Sequence, residues 1–518
     1  MTTAQPGSFD TFLRRWEQSV GAHPENTFLL FQEDDGTQGQ WTYAEFDTIV
    51  DRFANRLYAN GVRHGGVVHV CLRNSPAFVA IWLAASKLGA WFVPVDPAST
   101  ERDISRQLER THPTVGICAR SRNAVYLSAA SKFDIMVIEV EENIAGVANG
   151  NALLDGARVA YFDSHVMPSD RLAVMFTSGT TSEPKGVVLT QHNYSHVAGA
   201  MAAAASLRSE HRWLIVLPLF HANAQFYGFA SAIAVGASVA LTSKFSASRW
   251  LEQARVLDAT HASLFAAPMR MILARTPEGA VAHRLELVWF AQSLGEDHYS
   301  RFTDLVQCRP RQLYGMTETV AVVTADDNAL PTHDVIGRPV HGRAVRLVDP
   351  VTDADVGDGE VGMIVVAGSR GEDLFSEYLD EPSVTAGSFF ADGDRTWFRT
   401  GDLAVKTELG ALRFVGRIDD VIKVAGENVS LTEVEAAVAQ APGVLEAAVV
   451  SMEDPIRDHV PVAYVVPNDP ANPPNITALA SWAERALSPK ERPRDWHIID
   501  ELPRTSVGKI RRFKIRSE

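Results

Sequence analysis

The stretch TSGTTSEPKG, Thr177 to Gly186, combines serine and threonine hydroxyls with two glycines and one lysine. It follows the apolar run LAVMF and leads into VVLT, which predicts a strand, a turn and a second strand. Glycine lets backbone amides approach a ligand closely, and the hydroxyls and the lysine add donors, so this turn suits a polyphosphate. The spacing of a Walker A loop is absent. A polar hairpin that binds nothing is the open alternative.

The composition places the chain among globular proteins of more than one domain. A length of 518 residues is too great for a single hydrophobic core. The hydrophobic fraction of 46% and the charged fraction of 21% are ordinary for such proteins. The formal net charge of −15 argues against a nucleic-acid-binding surface, which needs a basic face.

The three cysteines and the N-terminus favour a cytoplasmic protein. Cys71, Cys118 and Cys308 are far apart and show no metal-binding spacing, so we expect reduced, buried thiols. The N-terminal segment has no apolar core of a signal peptide. Phe78 to Val95 is the longest apolar run, but Ser86, Lys87 and Gly89 interrupt it, so we expect no membrane span.

That run predicts a buried helix followed by a strand. Ser75 is a suitable N-cap, Pro76 suits the first helical turn, and Gly89 can end the helix in a left-handed conformation. The same alternation of short apolar strands and helices continues to about Ile336, which indicates parallel α/β architecture. Beyond it, short alternating segments punctuated by glycine indicate antiparallel strands.

Five motifs taken together resemble the adenylate-forming superfamily of acyl- and aryl-CoA ligases, peptide-synthetase adenylation domains and firefly luciferase. In chain order they are TSGTTSEPKG, YGMTE (Tyr314 to Glu318), TGD (Thr400 to Asp402), GRIDDVIK (Gly416 to Lys423) and LPRTSVGK (Leu502 to Lys509). The resemblance covers essentially the whole chain. Within the superfamily, the sequence looks most similar to ligases of the carnitine/crotonobetaine-CoA type.

The resemblance implies a fold and a two-step reaction. The fold would be a large N-terminal domain, residues 1–418, with βαβ-type sheets and a small β-barrel, and a mobile α+β lid, residues 419–518. In the first step a carboxylic acid attacks the α-phosphate of ATP, giving an acyl-adenylate and pyrophosphate. The thiol of CoA then displaces AMP. The expected ligands are ATP, Mg²⁺, the acid and CoA, bound by a monomer or homodimer without nucleic acid or membrane.

The resemblance also assigns roles to residues. Glu318 would hold Mg²⁺, since hard cations prefer carboxylate oxygens, and Thr317 would contact the α-phosphate. Asp402 would accept from the ribose hydroxyls with Arg417 beside it, although Gly-Asp is also ordinary turn chemistry. Lys509 would neutralise charge at the α-phosphorus. The remaining nucleotide-binding candidates are Thr177, Ser178, Gly179, Thr180, Thr181, Lys185, Tyr314, Gly315 and Met316. Tyr314 would offer a flat face to adenine, or else be a core tyrosine.

Two further segments concern the second step and the acid. Asp419 occupies the hinge position of the family, and Gly426 in AGENVS would let the pantetheine arm pass close to the backbone. His221, in LPLFHANAQ, would gate the carboxylate end of the acid pocket, or be a packing histidine. Asn223 and Gln225 are candidates for orienting a polar group of the acid.

Other activities remain open at this point. No Asp follows Phe220 closely, which argues against an α-amino acid substrate. AQSLGEDH, Ala291 to His298, departs from the glycine- and alanine-rich stretch of the family and puts the acid in doubt. The acceptor could also be an amine, a carrier protein or, in ATP-dependent diazotisation, nitrite. A nucleotide sensor without turnover is disfavoured because every expected catalytic position is filled.

Overall fold

The computed structural model describes residues 11–148, 165–177, 184–276, 282–425, 427–454, 456–503, 510 and 512–515. Its architecture confirms the mixed α/β fold, with large N-terminal sheets and a separate C-terminal sheet. The α-helices are Phe12–Ala22, Tyr43–Ala59, Pro76–Lys87, Glu101–Thr111, Ala124–Ala130, Gln191–Ala204, Ser231–Val235, Trp250–Val256, Ala266–Arg275, Glu296–Val306, Pro382–Gly387, Leu431–Val438, Ile476–Ala486 and Arg512–Ile515. Among the described residues, no helix is both long enough and apolar enough to cross a membrane.

The first large sheet contains the strands on either side of the opening turn. Its seven strands, in spatial order, are Glu377–Tyr378, Lys185–Thr190, Arg171–Thr177, Trp91–Pro94, Val67–Cys71, Val115–Ala119 and Met136–Val140. The two strands that flank the turn are antiparallel, and Thr177 lies opposite Lys185. The predicted strand–turn–strand is therefore confirmed at its two ends.

The second large sheet has a parallel centre. Its nine strands, in spatial order, are Arg338–Pro339, Thr324–Ala325, Arg311–Tyr314, Leu287–Ala291, His261–Phe265, Arg212–Ile215, Ser238–Thr242, Thr27–Gln32 and Gln38–Thr42. The six strands from Arg311–Tyr314 to Thr27–Gln32 run parallel to one another. Their carboxyl ends share one edge, where ligands bind in open α/β sheets.

The predicted capped helix is present, and it connects the strands Val67–Cys71 and Trp91–Pro94 of the first large sheet. The Ser75 side chain accepts a hydrogen bond from the Phe78 amide, Pro76 opens the helix, and Gly89 has a φ of +62° just beyond its end. From Pro76 to Ser86 the helix is buried on every side, as its uniformly apolar sequence requires. Trp82 stacks on Phe12, with ring centroids 5.3 Å apart, within a core cluster that includes strands of both sheets.

The strands expected after about Ile336 form an antiparallel sheet of their own. Its strands are Val345–Val348, Val361–Ala367, Arg395–Lys406 and Phe389–Asp392 in spatial order. A fifth strand, Leu412–Arg417, also pairs with Arg395–Lys406. The C-terminal sheet follows: Glu427–Ser430, Val421–Val424, Asp458–Pro467 and Val444–Asp454, with Asp495–Ile498 parallel to Asp458–Pro467. A 3₁₀ turn, Ile418–Asp420, joins the two sheets. The division of the chain at 418/419 stays a prediction.

Candidate active site

Three of the predicted nucleotide-binding residues contact one another where two sheets meet. Tyr314 is the last residue of its strand at the carboxyl edge of the nine-stranded sheet. Its hydroxyl donates to Oδ2 of Asp402 over 2.7 Å. Arg417 lies opposite Asp402 on the neighbouring antiparallel strand, and its Nη1 is 3.2 Å from Oδ1. The carboxylate of Asp402 is thus held at both oxygens.

The electrostatics of this cluster fix which groups donate and which accept. Burial and the neighbouring Asp402 carboxylate raise the pKa of Tyr314 well above its usual value, so its hydroxyl stays protonated. Burial lowers the pKa of the Arg417 guanidinium, but Asp402 and the other acidic groups around it, including Asp419 and Glu318, together outweigh burial and raise that pKa. The Nε of Arg417 is buried and finds no hydrogen-bond partner within the described part of the chain. The cluster therefore pairs a carboxylate acceptor with an unused donor.

The YGMTE motif continues from Tyr314 into a tight turn. A Cβ on Gly315 would lie 3.2 Å from the Tyr227 hydroxyl oxygen and 3.3 Å from the Val322 Cα, closer than most side chains tolerate. Met316 donates its amide to Oγ1 of Thr319 over 3.0 Å, and residues Thr317–Thr319 form a 3₁₀ turn. Thr317 therefore lies in the turn that also carries Glu318.

A strained residue ends this turn. Val320 has a φ of +63°, a conformation that a β-branched residue adopts only at a cost of about 1–3 kcal/mol. Arg343, itself almost completely buried, donates to the Thr319 carbonyl just before it. The surrounding structure thus holds the turn in a geometry that its sequence alone would not favour.

Glu318 is a buried carboxylate with a specific donor. Only 6% of the residue is exposed, and its Oε1 accepts a hydrogen bond from the Tyr378 hydroxyl over 3.1 Å. Burial and the Glu318 carboxylate raise the pKa of Tyr378, so that hydroxyl remains a donor. The described residues contain no group of three or more side chains able to cage a metal. A single carboxylate fits Mg²⁺ of the kind that is held largely by substrate phosphates and water.

The predicted phosphate loop, residues 177–185, ends beside Tyr378, the residue that donates to Glu318. Lys185 opens its strand, and its ammonium lies 5.0 Å from the centroid of the Tyr378 ring, within the range of a cation–π interaction. Arg110 donates to the carbonyl of Pro184 over 3.0 Å and fixes the end of the loop. Ser178, Gly179, Thr180 and Thr181 lie outside the described residues, so their predicted contacts stay predictions.

His221 lies at the same sheet edge as Tyr314. It follows the parallel strand Arg212–Ile215, and its ring packs on Phe220 with centroids 4.5 Å apart. Asn223 begins a π-helix, Asn223–Ala230, and donates to Oγ of Ser263 over 3.1 Å. Such helices are frequent at functional sites. The gating role of His221 stays a prediction.

The interpretation of Gln225 as a substrate contact is wrong. Gln225 is fully buried; its amide nitrogen donates to the Leu219 carbonyl over 2.6 Å, and its oxygen accepts from Tyr194 over 2.6 Å. Both ends of the side chain therefore hold the loop that carries His221. A buried amide satisfied in this way shapes the pocket wall instead of binding the acid.

The unusual segment AQSLGEDH also ends a parallel strand at this edge. Gln292 has a φ of +75°, and its carbonyl accepts from the side chain of Gln312 over 3.1 Å. A Cβ on Gly295 would lie 2.5 Å from Cγ of Gln440, so this segment closely approaches the C-terminal domain. A larger residue at 295 would require the exposed side chain of Gln440 to move.

The remaining predicted residues belong to the C-terminal region. Asp419 lies in the Ile418–Asp420 turn between the two small sheets, which is where a hinge would have to act. Within AGENVS, Ala425 has a φ of +51°, and Glu427–Ser430 form a strand that pairs antiparallel with Val421–Val424. Gly426 and Lys509 lie outside the described residues.

Sequence reasoning missed Tyr378 and Arg343. Tyr378 belongs to a two-residue strand, and Arg343 precedes a short one, so neither shows a periodic pattern. Their partners, Glu318 and Thr319, are far away in sequence. Only the pairing of distant strands brings them to the site.

Comparison with known proteins identifies the family. The profile described as AMP-binding enzyme matches residues 16–379, and that of the AMP-binding enzyme C-terminal domain matches residues 433–509. Crotonobetaine/carnitine--CoA ligase of Salmonella arizonae is 28% identical over 509 residues, covering 96% of each chain. The protein of the same name from Escherichia coli O1:K1 is 28% identical, covering 97% of this chain and 98% of its own.

Solved structures share the fold. An anthranilate CoA ligase in complex with anthranoyl-AMP superposes with a TM-score of 0.87 at 22% identity, over 100% of this chain and 98% of that one. A benzoate CoA ligase from Burkholderia xenovorans superposes with a TM-score of 0.86 at 23% identity, over 98% of this chain and 99% of that one. Because the family profile spans more than half of the sequence, the chain belongs to the AMP-binding enzyme family.

Proposed function

We propose that this protein is an AMP-forming ligase that activates a carboxylic acid with ATP and passes the acyl group to CoA. The observation that carries the proposal is the Tyr314–Asp402–Arg417 cluster beside the Glu318 turn. It supplies a rigid acceptor for ribose hydroxyls next to a buried carboxylate at the ligand-binding edge of the sheet. The relatives described above are themselves named as CoA ligases.

The residues have distinct tasks in the first step. A carboxylate oxygen of the acid forms a bond to the α-phosphorus, and pyrophosphate leaves with the bonding electrons. Such displacement needs positioning and charge neutralisation more than covalent help. Asp402 and Arg417 would orient the nucleoside, Thr317 would donate to the α-phosphate, and Lys509 would neutralise the transferring group. Glu318 would hold Mg²⁺, which when bound supplies positive charge to the triphosphate.

A cavity of about 810 Å³ supports CoA as the acceptor. Its wall includes Phe220, which packs on His221, and Pro97 from the other large sheet. The residues that line it are mainly apolar, and the charged ones are Arg73, Asp96, Arg122 and Lys244. Arg122 is paired with Glu142 and Lys244 with Asp34. A cavity of this size and composition suits an acyl group or the arm of a thiol-bearing cofactor. We also place the reaction in the cytoplasm, with the free cysteines as support.

The test is a pyrophosphate-release screen over aryl, acrylic, short-chain and betaine-type acids. Each acid is assayed alone and with CoA, an amine or nitrite. We expect acid-dependent pyrophosphate release and AMP formation that accelerates with CoA. Release that accelerates with an amine or nitrite but not with CoA would refute the acceptor, and no acid-dependent release would refute the ligase.

A further inference from the structure

The short strand Glu377–Tyr378 physically joins two motifs that are far apart in the sequence. It pairs with the strand that begins at Lys185, with Tyr378 opposite Val187. Leu379 donates its amide to the Gly186 carbonyl over 2.8 Å. On the other side, Phe375 donates its amide to the Glu318 carbonyl over 2.9 Å. The segment therefore connects the phosphate loop of one sheet to the YGMTE turn of the other.

The Tyr378 side chain makes a separate contact with each motif. Its hydroxyl lies 3.1 Å from Oε1 of Glu318, and the centroid of its ring lies 5.0 Å from Nζ of Lys185. The residue is 6% exposed, so water competes little for either contact. Its amide donates to Oγ1 of Thr385 over 2.9 Å, and Phe375 packs on its ring, which fixes the side chain's position.

We propose that Tyr378 is a positioning residue that aligns the metal-binding carboxylate and the phosphate-binding lysine with each other. This inference rests on the proposed function, because it assigns Tyr378 to the same Mg²⁺-ATP site. A carboxylate that binds a metal through one oxygen needs the rest of the group held in one orientation, and a hydroxyl donor does that. The face of the Tyr378 ring fixes the position of the Lys185 ammonium before a triphosphate binds.

The two contacts can be separated by substitution. Tyr378→Phe removes the hydroxyl and keeps the ring, so it should affect Glu318 alone. Tyr378→Leu removes both and should also release Lys185. Tyr43→Phe is the matched control: Tyr43 is fully buried, its hydroxyl lies 2.8 Å from the Ala237 carbonyl, and its ring packs on Trp16 and Phe28. It reports the cost of losing a buried hydroxyl without involving the site.

The experiment measures binding and needs no turnover. Mn²⁺ stands in for Mg²⁺ and is titrated into the full-length protein with α,β-methylene-ATP, with free Mn²⁺ followed by electron paramagnetic resonance. Nucleotide affinity is measured separately in EDTA. We expect Tyr378→Phe to weaken Mn²⁺ binding about tenfold and to leave metal-free nucleotide affinity unchanged. Tyr378→Leu should weaken Mn²⁺ binding to the same extent, and it should also weaken the metal-free nucleotide affinity about threefold relative to the parent protein.

A double-substitution cycle shows whether Tyr378 acts through Glu318. In a Glu318→Gln background, Tyr378→Phe should add less than a twofold change in Mn²⁺ affinity, because the group it orients is already altered. Equal effects in both backgrounds would overturn the inference, as would parental Mn²⁺ affinity in Tyr378→Phe. If the unsubstituted protein bound no Mn²⁺-nucleotide complex, the proposed function itself would fail, and that result is distinct from either of these.

Discussion

Asp402→Asn is the sharpest test of the nucleotide site. The substitution preserves the shape of the side chain, and its amide oxygen still accepts from the Tyr314 hydroxyl, now 2.7 Å from Oδ2. What it removes is the negative charge beside Arg417. The side chain of Arg417 is 39% exposed, so water can solvate the guanidinium that loses its counter-charge. Asp402 itself is only 8% exposed, however, and the amide nitrogen of Asn would face the guanidinium, so we expect a folded protein that is less stable by about 1–3 kcal/mol.

The expected effect on nucleotide binding follows from the same loss of charge. A hydrogen bond to a charged group contributes about 1.5–3 kcal/mol, against about 1 kcal/mol for a neutral pair. If the Asp402 carboxylate accepts from both ribose hydroxyls, its replacement by an amide loses about 1 kcal/mol at each. The sum of about 2 kcal/mol corresponds to an ATP affinity about 30-fold weaker.

The assay compares ATP with 2′-deoxy-ATP in the parent protein and the variant. The parent should prefer ATP by tenfold or more, since the deoxy compound lacks one charged hydrogen bond. In Asp402→Asn the preference for ATP should fall to about fivefold, because the deoxy compound then lacks only a neutral hydrogen bond. Asp353→Asn is the control, since Asp353 forms an ion pair with Arg399 on the same long strand as Asp402. It should leave the preference unchanged.

An unchanged preference for ATP in Asp402→Asn would refute the reasoning. Asp402 would then serve only to hold Tyr314 and Arg417 in place, and the ribose would bind elsewhere. An equal loss of affinity for both nucleotides would also refute it, because a ribose contact must distinguish them.

Three further predictions concern the catalytic lysine, the hinge and pH. Lys509→Ala should reduce adenylate formation at least a hundredfold but spare thioester formation from preformed acyl-adenylate, measured as separate half-reactions; equal losses would contradict its role. Asp419→Pro, which fixes φ in the Ile418–Asp420 turn, should retain pyrophosphate release and lose acyl transfer, and an unchanged ratio of single-turnover rates would count against a lid rotation. Burial lowers the pKa of His261 to about 4, so below about pH 6.5 the unfolded chain binds a proton at this residue and the folded protein does not. His261 should therefore lower the free energy of unfolding by about 1.4 kcal/mol for each pH unit as the pH is lowered from 6.5 to 4. Urea titrations should show a shallower dependence on pH in His261→Gln.

The local features of the fold were predictable because they follow from short-range chemistry. Ser75, Pro76 and Gly89 each act within one helix and its ends, so their pattern is visible in the sequence. The same is true of the strand, turn and strand around Thr177 and Lys185. Burial was less predictable: Cys71 and Cys118 are buried as expected, but Cys308 is only partly so. It lies just beyond a helix end, where exposure depends on the neighbouring segments.

The contacts that organise the site were not predictable in this way. Tyr378 reaches Glu318 because its two-residue strand pairs with Val187 and Val188, and no local pattern encodes that pairing. Gln225 shows the opposite error, since a polar residue in a pocket motif suggested a ligand contact. Its two hydrogen bonds to Leu219 and Tyr194 are long-range or internal to the loop, and they become apparent only in three dimensions.

Arg417 connects nucleotide binding to the proposed hinge. It faces Asp402 across two strands, and the Ile418–Asp420 turn begins at the next residue. The last residue of that turn, Asp420, has its Oδ2 3.4 Å from Nη1 of Arg512 in the C-terminal region. A bound ribose that engages Arg417 and Asp402 would hold the strand rigid up to Arg417. The φ and ψ changes of a lid rotation would then be confined to the three residues of the turn, which is why substitution at Asp419 should separate the half-reactions more cleanly than substitution at Arg417.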